Sequence, residues 1–119
     1  MQSEKKIPMT TQQVFKEYSI AKTIGIVKGN TIRARHLGKD ILAGFKSMIG
    51  GEIEEYTKMM AEAREQAIDR MVADAINLGA NGIVGIRFTT STVLQGAAEL
   101  VAYGTGVKLK NRAKKIPDN

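Results

Sequence analysis

His36 is the single imidazole in this chain, cysteine is absent, and the carboxylates number 12. Heavy and soft metals favour thiolate and imidazole ligands, so one copy cannot build such a site from its own residues. His36 and Asp40 would share a helix face if a helix began early enough, and copies arranged around an axis would each bring one His36 towards it. The plainer reading makes His36 a loop residue hydrogen-bonded near the start of a helix. Glu52, Glu54 and Glu55 offer oxygen ligands to a hard cation. Acids gathered at a helix start also meet the positive end of the helix dipole, and that explanation suffices for these three.

Two glycine-rich segments suggest anion binding and then argue against it. The corner Gly79-Ala-Asn-Gly82-Ile-Val-Gly85 has glycines three apart, but it runs from helix into strand, whereas a phosphate loop runs from strand into helix and points the helix N-terminus at the anion. It reads as a structural turn. Gly50-Gly51, at the start of a helix, has the right polarity, yet Glu52, Glu54 and Glu55 would repel phosphate there. A nucleophile needs a base and an orienting third group, and Ser19, Ser47 and Ser91 sit in no such signature. No catalytic set is assigned, and the reading leans away from an enzyme.

The elements that must position these residues follow from length and periodicity. A chain of 119 residues, 43% hydrophobic and 25% charged, is sized and composed as one globular domain. Without cysteine there is no disulfide framework, and neither a secretory leader nor an apolar run long enough for a membrane span is visible. A cytoplasmic location is expected. The formal net charge of +6 is unevenly placed. Between Ile7 and Val107 basic and acidic residues nearly balance, 11 against 10, so the basicity belongs to the ends and nucleic acid is not the expected partner.

Residues 1–13 are polar and aperiodic, and read as a flexible N-terminal arm; residues 109–119 read as a basic tail, leaving 14–108 as the domain. Tyr18 to Lys28 alternates, with Tyr18, Ile20, Ile24 and Ile26 on one side, as a half-buried strand does. Gly29-Asn30 signals a turn before a short extended piece, Thr31 to Arg35. In Lys39 to Ile49, the positions Ile41, Leu42, Phe45, Met48 and Ile49 make one helical stripe. Glu52 to Leu78 is a longer helix, with Glu62, Glu65, Asp69, Arg70 and Asp74 on its outer face and Gly79 closing it. Met48, Met59, Met60 and Met71 lie on helix faces and read as core packing. Ile83 to Ser91 and Ala97 to Lys108 then form a hairpin. The order is β-α-β-β, an α+β subunit with helices over one face of a small antiparallel sheet.

The last strand sets Val101, Tyr103 and Val107 against Ala98, Leu100, Ala102, Gly104 and Gly106, so neither face is polar. A sheet with one solvated face should carry polar residues there. A second helix, the N-terminal arm, or identical subunits in a symmetric oligomer must therefore cover the second face, and the last is preferred.

Long stretches also resemble one family. They are Arg35-His-Leu-Gly-Lys-Asp-Ile-Leu-Ala-Gly44, Ile49-Gly-Gly-Glu52 with Tyr56 and Ala63-Arg64, Leu78-Gly-Ala-Asn-Gly-Ile-Val-Gly-Ile-Arg87, and Tyr103-Gly-Thr-Gly-Val107. Together, from Tyr18 to Lys108, they are similar to the YbjQ-like family, whose description names heavy-metal binding. The resemblance implies a subunit of the dodecin-like grouping assembled into a ring, a homopentamer. It also draws attention to Arg33, Arg35, His36, Asp40, Tyr56, Arg64, Arg87, Glu99 and Tyr103 as ligand or interface residues. Arg87 and Glu99 lie on the two strands of the hairpin, so a salt bridge across the sheet or across a subunit boundary is their default role. No cofactor is expected, and a metal stays open. The expected function is a non-enzymatic binding or scaffolding ring, with metal or small-ligand binding at subunit junctions as the alternative.

Overall fold

A computed structural model describes residues 7–34, 50–94 and 97–112. Four elements follow one another: strand β1 (Tyr18–Ala34), helix α1 (Gly50–Asn77), strand β2 (Gly82–Leu94) and strand β3 (Ala97–Asn111). The strands form one antiparallel sheet in the order β1-β3-β2, which is the β-α-β-β arrangement expected. The predicted stripe over Lys39 to Ile49 lies outside the described residues.

The helix lies across β1 and β3 because its inner stripe is made of small residues. Ala63, Ala67, Met71, Val72 and Ala75 are buried against Val27, Ala80, Ile83, Ile86, Leu100 and Ala102. Alanines at this spacing let the helix backbone approach the sheet closely, and the deepest approach is at Gly29. A Cβ there would land on the Ala67 carbonyl oxygen and the Met71 nitrogen, with the Arg70 carbonyl carbon 2.7 Å away. This corrects the sequence reading. Gly29-Asn30 is not a turn, and β1 runs through it unbroken; the glycine marks a backbone contact, the other common meaning of glycine within a strand. Beside it, the buried Thr31 hydroxyl donates to the Ala63 carbonyl at 3.3 Å.

The end of α1 follows the expected pattern. Gly79 has φ of +94°, Gly79 N–H donates to Ile76 O at 3.0 Å, and Ala80 N–H donates to Ala75 O at 2.9 Å. This is the bond pair of a Schellman cap. One turn earlier, two helix side chains reach the outer edge of β1. The Asp74 carboxylate accepts from Lys28 N–H at 3.0 Å, and the Arg70 guanidinium donates to the Asn30 carbonyl at 2.7 Å.

The second face is covered over part of its length. Register shifts between Ile20 and Lys22 and between Thr23 and Gly25 break the alternation of β1. Ile24 consequently packs on the helix side while Ile26 faces the other way, so the expected single row of Tyr18, Ile20, Ile24 and Ile26 is split. Val84, Val107 and Leu109 form a smaller cluster beneath Phe15 and Tyr18, whose rings meet edge-on with centroids 5.7 Å apart. Residues 13–17 thus cross the sheet as a strap. Ahead of it, residues 8–12 lie along β2: Ile83 N–H donates to Pro8 O, Thr10 N–H to Ile83 O, Ile86 N–H to Thr10 O and Gly85 N–H to Gln12 O. The described half of the arm is therefore a paired extended segment, where the aperiodic sequence suggested a loose one.

Arg112 fastens the strap. Its Nε donates to Lys16 O at 2.7 Å, its guanidinium to Phe15 O at 2.9 Å, and its backbone N–H to Glu17 O. Arg112→Ala is expected to accelerate trypsin cleavage after Lys16 several-fold in the native protein, because a segment held by few contacts opens locally before it is cut. An unchanged cleavage rate would mean the strap is held by Phe15 and Tyr18 alone.

Candidate functional site

Directly opposed residues of neighbouring strands share a face, so the register lays out the side of the sheet away from α1 row by row. From one end the rows are Ile32, Glu99, Ser91; then Asn30, Val101, Thr89; then Lys28, Tyr103, Arg87; then Ile26, Thr105, Val84. The strap covers the end beyond the last row. The rest is bare: Ile26 is 76% exposed, Ile32 58% and Tyr103 40%. A large apolar residue this exposed on a sheet face is ordinary when solitary; here two stand on one strand, separated by Lys28 and Asn30, with Tyr103 and Val101 opposite those polar residues, so the face is amphipathic.

The polar residues of the face are mostly engaged. Glu99 accepts from the Asn30 amide at 3.0 Å. Arg87 stands opposite Tyr103, not Glu99, and its guanidinium donates to Thr11 O at 2.9 Å and Ile86 O at 2.8 Å, fastening the N-terminal segment to β2. The expected Arg87–Glu99 pair does not form within the chain, because the hairpin register sets them four positions out of step. Arg33 points to the helix side and donates to Gln66 Oε1 at 3.1 Å, while Arg64 is exposed on α1. Arg35, His36 and Asp40 lie outside the described residues, and Tyr56 is described only as a position within α1. Of the nine residues singled out from the sequence, the structure gathers Arg87, Glu99 and Tyr103 on one face. The alternation sets Ile26 in the apolar row of a half-buried strand and Ile32 in a short extended piece, and their pairing with Thr105 and Glu99 is what puts both on the face away from α1.

A metal can be tested against these donors. Among the described residues no three His, Asp or Glu side chains converge, and Glu99 and Asp74 are already bonded to Asn30 and Lys28. The described residues do not fit a soft-metal site. A cavity of about 460 Å³ lies between Ile7, Pro8, Tyr18, Asn81, Leu109, Lys110 and Asn111. It holds one cation and no acid, and its Asn81 amide is bonded to Leu109, so it offers no acid–base pair. No helix among the described residues is long and apolar enough to cross a membrane.

The sequence matches the YbjQ-like family, described as "Putative heavy-metal-binding", over residues 7–110. The chain belongs to that family. It is 53% identical over 107 residues to a UPF0145 protein of Archaeoglobus fulgidus, covering 90% of this chain and 99% of the relative. It is 56% identical over 101 residues to a UPF0145 protein of Pseudothermotoga lettingae, covering 85% and 94%. Its fold is similar to a crystal structure from Pediococcus pentosaceus, a DUF74-family protein of unknown function, with a TM-score of 0.54 and 18% identity over 87% of this chain and 98% of that one. The match to the YbjQ-like family includes the N-terminal segment from Ile7, which agrees with the pairing of residues 8–12 to β2.

Proposed function

We propose that the protein is the subunit of a homo-oligomeric ring whose role is binding or scaffolding and not catalysis. The observation that carries this reading is the pair of exposed isoleucines on the sheet face away from α1, Ile26 at 76% and Ile32 at 58%, with Tyr103 at 40% between them on the next strand. Burying each of these side chains gains roughly 1.5–3 kcal/mol, and a second copy supplies an apolar surface at the same concentration as the face itself. Five copies is the size that membership of the YbjQ-like family suggests. The alternative, a metal or small-ligand site at a subunit junction, is favoured by the family description; it would draw on His36, Asp40 or the arginines around Arg33.

Native mass spectrometry of protein purified without a metal-affinity column tests both. The wild type is expected as a closed set of identical subunits, and Ile26→Asp combined with Ile32→Asp is expected to reduce it to smaller species with unchanged far-ultraviolet circular dichroism. A stoichiometric metal adduct lost in His36→Ala would move the alternative ahead. A stable wild-type monomer at micromolar concentration would overturn the ring.

A further inference from the structure

The outer strands of a sheet present unpaired N–H and C=O groups, and proteins defend such edges with bulges, covering segments or charge. Both edges of this sheet are defended towards one end and open towards the other. On β1, two register shifts break the strand before Gly25. Lys28 N–H and the Asn30 carbonyl, which point away from β3, are held by Asp74 and Arg70 of the helix. On β2, residues 8–12 pair with positions 83 to 86, Arg87 bonds Thr11 O, and a further register shift follows Thr92. That leaves Thr31 to Ala34 on β1 and Phe88 to Thr92 on β2 with no guard on their backbone groups among the described residues. The two open stretches stand at the same height. Through β3 they share the rows Thr31, Leu100, Thr90; Ile32, Glu99, Ser91; and Arg33, Ala98, Thr92. The alternation of antiparallel pairs turns the backbone groups of Ile32 outward on one edge and those of Phe88, Thr90 and Thr92 outward on the other.

The helix is offset to match. It packs on β1 and β3 and hardly touches β2, and Asp74 and Arg70 reach past it to the outer edge of β1. Phe88 and Thr90 stand opposite Ala102 and Leu100, which are buried in the core beneath α1. This row of β2 therefore faces the helix layer, yet Phe88, Thr90 and Thr92 are exposed, Phe88 by 42%. The β1 edge carries an overhanging helix, and the β2 edge has a helix-side surface with no helix on it. Pairing β2 with β2 about a twofold axis would leave both such surfaces uncovered. Pairing β1 with β1 would drive two overhanging helices together. Joining β1 of one copy to β2 of the next fills both open edges and covers Phe88.

We infer that Thr31 to Ala34 of one copy add to β2 of the next copy over Phe88 to Thr92, with α1 of the first lying over Phe88 of the second. Both strands run antiparallel to β3, so copies related by rotation about an axis along the strands pair them in parallel, Thr31 beside Thr90 and Ile32 beside Ser91. The pairing stops before Lys28 and Arg87, like charges that would otherwise face each other; there the edges are already taken by Asp74 and by residues 8–12. A contact between two different edges is heterologous, and it closes into a ring when its rotation does. The inference rests on the ring reading and specifies its contact: one continuous sheet, with the helices on its outer side and Ile26, Ile32 and Tyr103 of every copy on its inner side.

The absence of cysteine lets engineered pairs report the contact. Within one chain Ile32 and Ser91 are separated by β3, two strand spacings or about 10 Å, too far for a disulfide, which needs Cα atoms within about 7 Å. Ile32→Cys combined with Ser91→Cys is expected, on mild oxidation, to give a ladder of covalent dimers, trimers and larger species on a non-reducing gel, up to the copy number that native mass spectrometry finds. Each single variant should stay monomeric on that gel, and the two single variants refolded together should give dimers and nothing larger. In the wild type the Ile32 and Thr92 amides should be protected from hydrogen exchange, although both lie on outer strands. A double variant that keeps the native mass of a ring but yields no ladder overturns this contact and leaves the ring standing, whereas a monomeric wild type overturns both. Cross-linking of Ser91→Cys alone, or fast exchange of the Thr92 amide in an intact ring, overturns the contact equally.

Discussion

Gly29→Ala is expected to destabilise the protein by about 3 kcal/mol, the upper end of the usual cost of overpacking a core. The added methyl meets the Ala67 carbonyl oxygen and the Met71 nitrogen, with the Arg70 carbonyl carbon at 2.7 Å. These are backbone atoms of a helix and cannot rotate aside as a side chain would. The helix must lift from β1, which loosens Thr31 from Ala63 and Asp74 and Arg70 from the strand edge at the same time. Denaturant unfolding at one fixed protein concentration measures the loss, since assembly makes apparent stability concentration-dependent. In thermal unfolding the midpoint should fall by more than about 10 °C. Trimming a helix side chain with Ala67→Gly should not restore it, because the Ala67 atom in the way is its carbonyl oxygen. A midpoint within about 2 °C of wild type would show that α1 does not rest on Gly29.

Gly29 also marks where the sequence stops being readable. The order β-α-β-β, the span of α1 and the hairpin are all visible, because each imprints a period or a cap on neighbouring residues; the second sheet face, expected to be apolar, instead interleaves Lys28, Asn30, Thr89, Ser91, Glu99 and Arg87 with its isoleucines. Glycine imprints neither period nor cap. At Gly79 it supplies a left-handed residue with φ of +94°; at Gly29 it leaves room for a helix that arrives 38 positions later, and only tertiary structure tells the two apart. The same holds at Gly104 and Gly106 in the family stretch from Tyr103 to Val107. A Cβ at Gly104 would stand 3.0 Å from Ile83 Cγ2, and one at Gly106 would stand 3.0 Å from Val27 Cγ1. These glycines fit the sheet to its own core.

The N-terminal segment was illegible for a related reason. Pro8 to Gln12 pair through backbone groups with Ile83, Gly85 and Ile86, and backbone pairing by a single short segment on a strand edge demands no alternation of side chains. Of the polar residues chosen from the sequence, Arg33, Arg87 and Glu99 bond to Gln66, Thr11 and Asn30. Their types suit a ligand or an interface, and a structural pair is the default for Arg87 and Glu99; within the chain each bonds to a partner that sequence spacing does not indicate. The exposed isoleucines invert the case. Ile26 and Ile32 lie in stretches that read as extended, and the two register shifts in β1 determine which of its isoleucines reach the far face.

Asn81→Ala is expected to cost about 1 kcal/mol, the usual net worth of a hydrogen bond, since the two side-chain bonds it removes are only part-buried. The corner from Leu78 to Gly85 resembles an anion loop on glycine spacing, yet its one side-chain amide is turned inward to the protein's own backbone. Asn81 Oδ1 accepts from Leu109 N–H at 2.6 Å, its Nδ2 donates to Leu109 O at 3.3 Å, and its own N–H donates to Val107 O at 2.9 Å. The side chain stands in for one residue of a strand and extends the β2–β3 ladder past Gly82, and it ties the end of α1 to the cluster of Val84, Val107 and Leu109. Alanine keeps the backbone bond and removes both side-chain bonds, so the Leu109 amide should exchange with solvent much faster while helix amides such as that of Ala67 keep their protection. Asn81→Asp retains the acceptor for Leu109 N–H and should lose less than the alanine variant. An Asn81→Ala variant that left Leu109 protected and stability unchanged would show that the side chain does not hold the corner to β3.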